Sequence, residues 1–224
     1  MRALGFMLAA AVGAIALLPL HAVTAQDIPA RLLERVPANM VDSVQRIAQD
    51  AAAHGLPVEP LLLKAIEGSA KSVSAERVIA AVRVLAARLG ESRNALREAG
   101  IPAPSPEAVE SGADALNAGL NASQVRDLGR VSRPPYDPVV TLQVVAALTA
   151  LGVPAPQGVR LMAHMIHAGR EPKDLLELPN EVQISMARGA TAAEAAEGLD
   201  AAQGGQGPQG QQGQQGEGNN PRKP

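Results

Sequence analysis

The sequence predicts an all-α protein, an irregular stack of helical hairpins in about three repeated units. Three observations carry that expectation. Apolar residues recur at helical spacing, and residues 26–202 hold no convincing run of strand-like alternation. Glycines followed two positions later by proline punctuate the chain at Gly55, Gly100 and Gly152, and each fits the left-handed residue that closes a helix. Apolar side chains make up 46% of the residues but aromatic ones only 1%, so the core has to be built from Ala, Val, Leu, Ile and Met.

Taken in order, the chain begins with a targeting segment, a signal peptide over residues 1–25. Met1 and Arg2 give a short positive start, residues 3–20 form an uncharged and mostly apolar run, and Val23-Thr24-Ala25 places small residues where a signal peptidase cuts. The rival is an uncleaved anchor, because a run of that length lies at the lower limit for spanning a bilayer. Pro19 and the small-x-Ala site favour cleavage before Gln26. Export to a periplasm or beyond the cell follows, with no stable membrane insertion of what remains.

The helical body is expected over residues 26–202. Met40, Val44, Ile47 and Ala51 fall on one helical face. Val78, Val82, Leu85, Leu89 and Leu96 do the same along residues 74–99, with Glu76, Arg77, Arg88 and Glu91 pointing elsewhere. The stretch 138–151 is apolar nearly all round and is expected at the centre of the fold. Its paired valines raise a buried strand as the alternative, but its length and Ala-rich second half suit a helix. Helix starts are written at Ser105-Pro106, a hydroxyl cap before a proline, and at Asn121–Gln124 and Thr191–Glu194, which resemble capping boxes.

The Gly-x-Pro marks also outline a repeat. Each is followed by a helical stretch, a break of small residues and a new start, at Ser74, Asn121 and Glu171, and a half-copy opens at Gly189. Such spacings fit helix hairpins stacked on their neighbours. The alternative is that Gly-x-Pro is simply a frequent way out of a helix. Residues 203–224 are rich in Gly and Gln, lack any large apolar side chain, and are expected to form a disordered tail. Its Gly205-x-Gly207-x-x-Gly210 pattern lacks the flanking strand and helix of a dinucleotide site, and its glycine triplets are too few for a collagen helix.

Chemistry is harder to find. A net charge of −2 gives no sign of a nucleic-acid partner, and zero cysteines exclude disulfides, thiolate metal sites and thiol nucleophiles. No cofactor is expected. His164 and His167, at i, i+3 on a helix expected over residues 156–168, are candidate metal ligands, with Glu171 or Asp174 just beyond. The ordinary reading is that histidines near a helix C-terminus suit its dipole. Tyr136, the only tyrosine, adjoins Pro134-Pro135 and is a candidate contact for a protein or glycan. Its ordinary role would be to lay its ring on neighbouring helices with the hydroxyl in water. Glu67, between Lys64 and Lys71, is either a tuned carboxylate or part of a surface charge ladder. No nucleophile elbow or Ser-x-x-Lys pair occurs.

These features point to an exported, non-enzymatic helical protein that binds or scaffolds an unidentified protein or polymer of a bacterial envelope or extracellular space. An Arg-over-Lys balance and high Ala content fit such a source. Self-association of open-ended helix stacks is a further expectation. The alternative from a different class is a small metal-binding protein or enzyme centred on His164 and His167.

Overall fold

The helix signals in the sequence are answered at the positions where they stand. The computed structural model describes Leu32 and residues 35–204, with side chains as far as Ala202. Among these residues the secondary structure is helical, without strands: α1 (Ala38–Ala53), α2 (Glu59–Ala70), α3 (Ala75–Glu98), α4 (Pro106–Ala118), α5 (Ala122–Val131), α6 (Pro138–Ala150), α7 (Ala155–His167), α8 (Pro172–Ala187) and α9 (Ala192–Gly204). The expected signal peptide lies outside the described residues, as does the expected tail beyond the last turn of α9. No helix among the described residues is long and apolar enough to cross a membrane.

Four of the starts are closed by a side-chain cap. The Ser105 hydroxyl accepts from the Ala108 amide at 3.2 Å. At α5 the Asn121 side chain accepts from the Gln124 amide at 3.0 Å, while the Gln124 side chain accepts from the Asn121 amide at 2.9 Å. Thr191 and Glu194 make the same reciprocal pair before α9, at 3.2 and 2.8 Å. These bonds satisfy amides that a helix's first turn otherwise leaves open. Asp137 caps α6 in the same manner, through the Val139 amide at 2.8 Å. Ser74 and Glu171 occupy the predicted cap positions without a side-chain cap bond. At the stops, Gly55, Gly100 and Gly152 have φ of 67°, 88° and 99°, the left-handed conformation that glycine adopts without a Cβ penalty.

Links of three to seven residues join the helices, and consecutive ones pack as antiparallel hairpins except α7 and α8, which touch each other little and both pack on α6. Apart from α2, the helices also pack on the next but one: α1, α3, α5, α7 and α9 make one continuous layer, and α4, α6 and α8 a second, with α2 paired to α1 and α3. This is the stack of hairpins that the sequence predicts. One departure is instructive. The interval from Gly55 to Gly100 holds two helices, whereas Gly100 to Gly152 holds three, because α6 is interposed. The third mark therefore ends a helix of the opposite layer.

A single aliphatic core runs from Leu32 to Ala196. Helix α6 lies at its centre, touching α4, α5, α7 and α8 and burying Leu142, Val144, Val145 and Leu148. Its buried Thr141 is satisfied by the Ser132 hydroxyl at 2.6 Å. Without large rings to fill space, the layers close by approach of small residues. A Cβ on Gly112 of α4 would stand 2.1 Å from Oγ of Ser92 on α3, and one on Gly129 of α5 would stand 2.8 Å from Cβ of Ala99. Such contacts are too tight for any side chain, so glycine sets the α3–α4 and α3–α5 separations.

Candidate functional site

Alternating hairpins give the stack two edges. At one edge lie the links 54–58, 99–105, 132–137 and 168–171; the first three are longer and hold Pro57, Pro102, Pro104, Pro134 and Pro135. Distant side chains reach these links. Arg93 Nη1 donates to the carbonyl of His54. Arg133 donates to the carbonyls of Ala99, at 2.7 Å, and Gly100, at 3.4 Å. Tyr136 Oη donates to the carbonyl of Arg170 at 2.8 Å and stands 3.4 Å from that of Ile166. Carbonyls left open at helix C-termini are thus paired from the next segment of the same layer or its neighbour.

Two clefts flank the first of these links. One, of about 520 Å³, lies between α1 and α3. Its floor is Ile47, Ala51, Leu56, Ala86 and Ala87, and its polar rim is Ser43, Arg46, Asp50 and Arg83. The alanines are the physical reason for the space: a larger residue at any of them would extend into it. Arg46 Nε donates to the Asp42 carbonyl at 3.3 Å, and Asp50 stands 3.6 Å from His54 Nδ1. Neither Arg46 nor Arg83 forms an ion pair among the described residues.

The other cleft, of about 460 Å³, lies between the same link and the start of α4, on Leu56, Pro57, Val58, Pro104 and Val109, with Glu59, Arg93 and Glu110 at its edge. Partial burial pushes the Glu110 carboxyl above the usual glutamate range, helped by the charges of Glu107, Asp114 and Glu59. Asp114 is raised by burial as well. One turn therefore separates a cleft with two cations at its rim from one with an acidic border.

The candidate metal ligands are dispersed. His164 Nδ1 meets Asp200 Oδ1 of α9 at 2.7 Å, Glu171 is paired with Lys173 at 2.7 Å, and Asp174 lies 3.6 Å from Arg170. His167 is exposed at the end of α7. Among the described residues no group of three His, Cys, Asp or Glu side chains is placed to hold a metal ion. The carboxylate that reaches His164 is Asp200, which helical spacing around His164 does not show, because it arrives with a separate helix.

Tyr136 packs its half-buried ring on the core, as the ordinary reading has it, but its hydroxyl is bonded to backbone rather than left in water. Glu67 takes Lys64 at 3.2 Å and Lys71 at 2.5 Å on an exposed face. Hydrogen bonds from Lys71 first, then Lys64, hold its carboxyl below the usual range, the behaviour of a charge ladder. Sequence reasoning missed Arg46 and Arg83 altogether. Each is one arginine among many, and only the packing of α1 on α3 brings them to one cleft. Compared with known protein families, characterised proteins and solved structures, this chain matches none.

Proposed function

We propose that the chain is an exported, non-enzymatic helical binding module that holds a partner of the bacterial envelope or extracellular space, a protein or an envelope polymer. The observation that carries this reading is the pair of open clefts at the 54–58 link, each with an aliphatic floor and a charged rim. Concave aliphatic surfaces with a few polar groups at the margin are what ligand sites are made of. A stack of hairpins offers them side by side along an extended face. The signal-like residues 1–25 support export. Cap and core hydroxyls such as those of Ser105 and Ser132, bonded to backbone or to Thr141, support a non-catalytic role.

The test is a crosslinked pull-down from the native envelope fraction, comparing the intact chain with one ending after Ala202. A reproducible partner held by both forms is the expected result and places the contact on the helical body. A partner lost on truncation would move the function to the Gly/Gln-rich end. Capture by neither form would overturn the reading.

A further inference from the structure

The cleft between α1 and α3 supports a sharper assignment, which rests on the binding-module reading and names its ligand class. We propose that this cleft binds a medium-chain aliphatic carboxylate, with the carboxylate between Arg46 and Arg83 and the alkyl chain along Ile47, Leu56 and Ala87.

Charge sets the first half of the argument. The rim carries two guanidinium groups against one carboxylate, Asp50, which stands 3.6 Å from Nδ1 of His54. The balance favours a single negative charge on the ligand. Guanidinium groups present parallel N–H donors that match a carboxylate and keep their charge at every physiological pH. Arg46 is held only by long bonds, 3.3 Å to the Asp42 carbonyl and 3.5 Å to the Ser43 hydroxyl, so it can turn to a ligand without breaking an ion pair.

The floor sets the second half. It is wholly aliphatic, so it has no ring on which a sugar or an aromatic ligand would stack. The polar groups are confined to the rim, where Ser43 is the only hydroxyl. A volume of about 520 Å³ lies within the span of roughly 300–1,000 Å³ usual for small-molecule sites. An alkyl chain gains from such a floor through burial alone.

Isothermal titration of the intact chain with decanoate, and separately with decanol, tests the assignment. Decanoate is expected to bind saturably at one site, and decanol at least about tenfold more weakly, since it lacks the charge that the arginines pair. Arg46→Gln and Arg83→Gln should each weaken decanoate about tenfold while leaving decanol binding unchanged. Both side chains are exposed, so the unliganded melting temperature should not move. Ala86→Leu, which fills the floor, should weaken both probes. Equal binding of the two probes, indifference to both arginine replacements, or no binding of decanoate would each overturn the proposal. If decanoate fails while the pull-down yields a partner, the carboxylate assignment falls and the binding-module reading stands.

Discussion

The two edges of the stack are built on different principles. At the edge carrying the links 71–74, 119–121, 151–154 and 188–191, every link is three or four residues long. Two of the four helix starts there are closed by reciprocal caps from their own first turn, Asn121 with Gln124 and Thr191 with Glu194. At the opposite edge most links are longer and rich in proline, and side chains 30 to 39 residues away in sequence pair their carbonyls. Length alone does not decide this, because the four-residue link 168–171 also receives a side chain from outside, Tyr136 at the Arg170 carbonyl. A longer link exposes carbonyls and admits an arginine, as at His54 and Ala99. Both clefts border the longer link 54–58, and the one between α1 and α3 takes its space from Ala51, Ala86 and Ala87.

The largest effect is expected where the two edges depend on one contact. Gly112→Ala forces a Cβ to within 2.1 Å of Ser92 Oγ, whose bond to the Val109 carbonyl, at 2.8 Å, must then shift. Overpacking of this kind costs about 2 kcal/mol. Denaturant unfolding should show that loss, and amide exchange should quicken at both edges together. A change confined to one edge would mean that the α3–α4 contact does not couple them.

Arg133→Ala separates the edges. It removes donors to the Ala99 and Gly100 carbonyls, and a charge-assisted bond to a partly buried carbonyl, discounted for the exposure of Arg133, is worth about 1 kcal/mol. Exchange should accelerate at the amides of Gly100 and Ile101, which bond to Arg97 and Leu96 within that turn. Unchanged exchange there would show that the longer link holds itself. Asn121→Ala is the converse at the short-link edge, with a loss of about 0.5–1 kcal/mol. Exchange at the Gln124 amide should quicken while the clasped turns stay as they are.

These two substitutions also mark the limit of what the sequence discloses. Caps and stops are short-range, so Ser105, Asn121, Thr191 and the three Gly-x-Pro turns could be read from neighbours along the chain. The central place of α6 could be read from its apolar surface. Gly119 and Gly169 close helices in the same left-handed conformation, yet with no proline two residues on they carry less of a mark. The clasps of Arg93, Arg133 and Tyr136 and the Arg46–Arg83 cleft have no local signature, because each joins segments that meet only after the layers form. The interposed α6 shows the same limit: its apolar surface is legible, but its effect, a Gly152 turn on the opposite edge, is a property of the stack.

The smallest effect is electrostatic and divides carboxylates that close caps from those beside the cleft. The Glu194 carboxyl lies below its ordinary value of 4.5, held there by the Thr191 amide and hydroxyl. A lowered folded-state value means that the capping contribution is complete above about pH 4.5 and lost as pH falls through the folded value. Glu107 in the first turn of α4 has the same sign, through its own backbone amide and the Ser105 hydroxyl. Glu110 has the opposite sign. Its carboxyl is raised above 4.5, chiefly by burial, so the folded protein takes up its proton before the unfolded chain does. Stability should therefore rise slightly as pH falls from 7 through the raised Glu110 value, and the gain should end near 4.5, where the unfolded chain is protonated too. The caps weaken only below that point. Melting temperatures at pH 7 and pH 5 read the difference. The native chain should gain on acidification, Glu110→Gln should gain less, and Glu194→Gln should gain as much as the native chain. An equal response in all three would place the carboxylates beside the cleft in the same environment as the caps, and the cleft would then be no less solvated than the open helix surface.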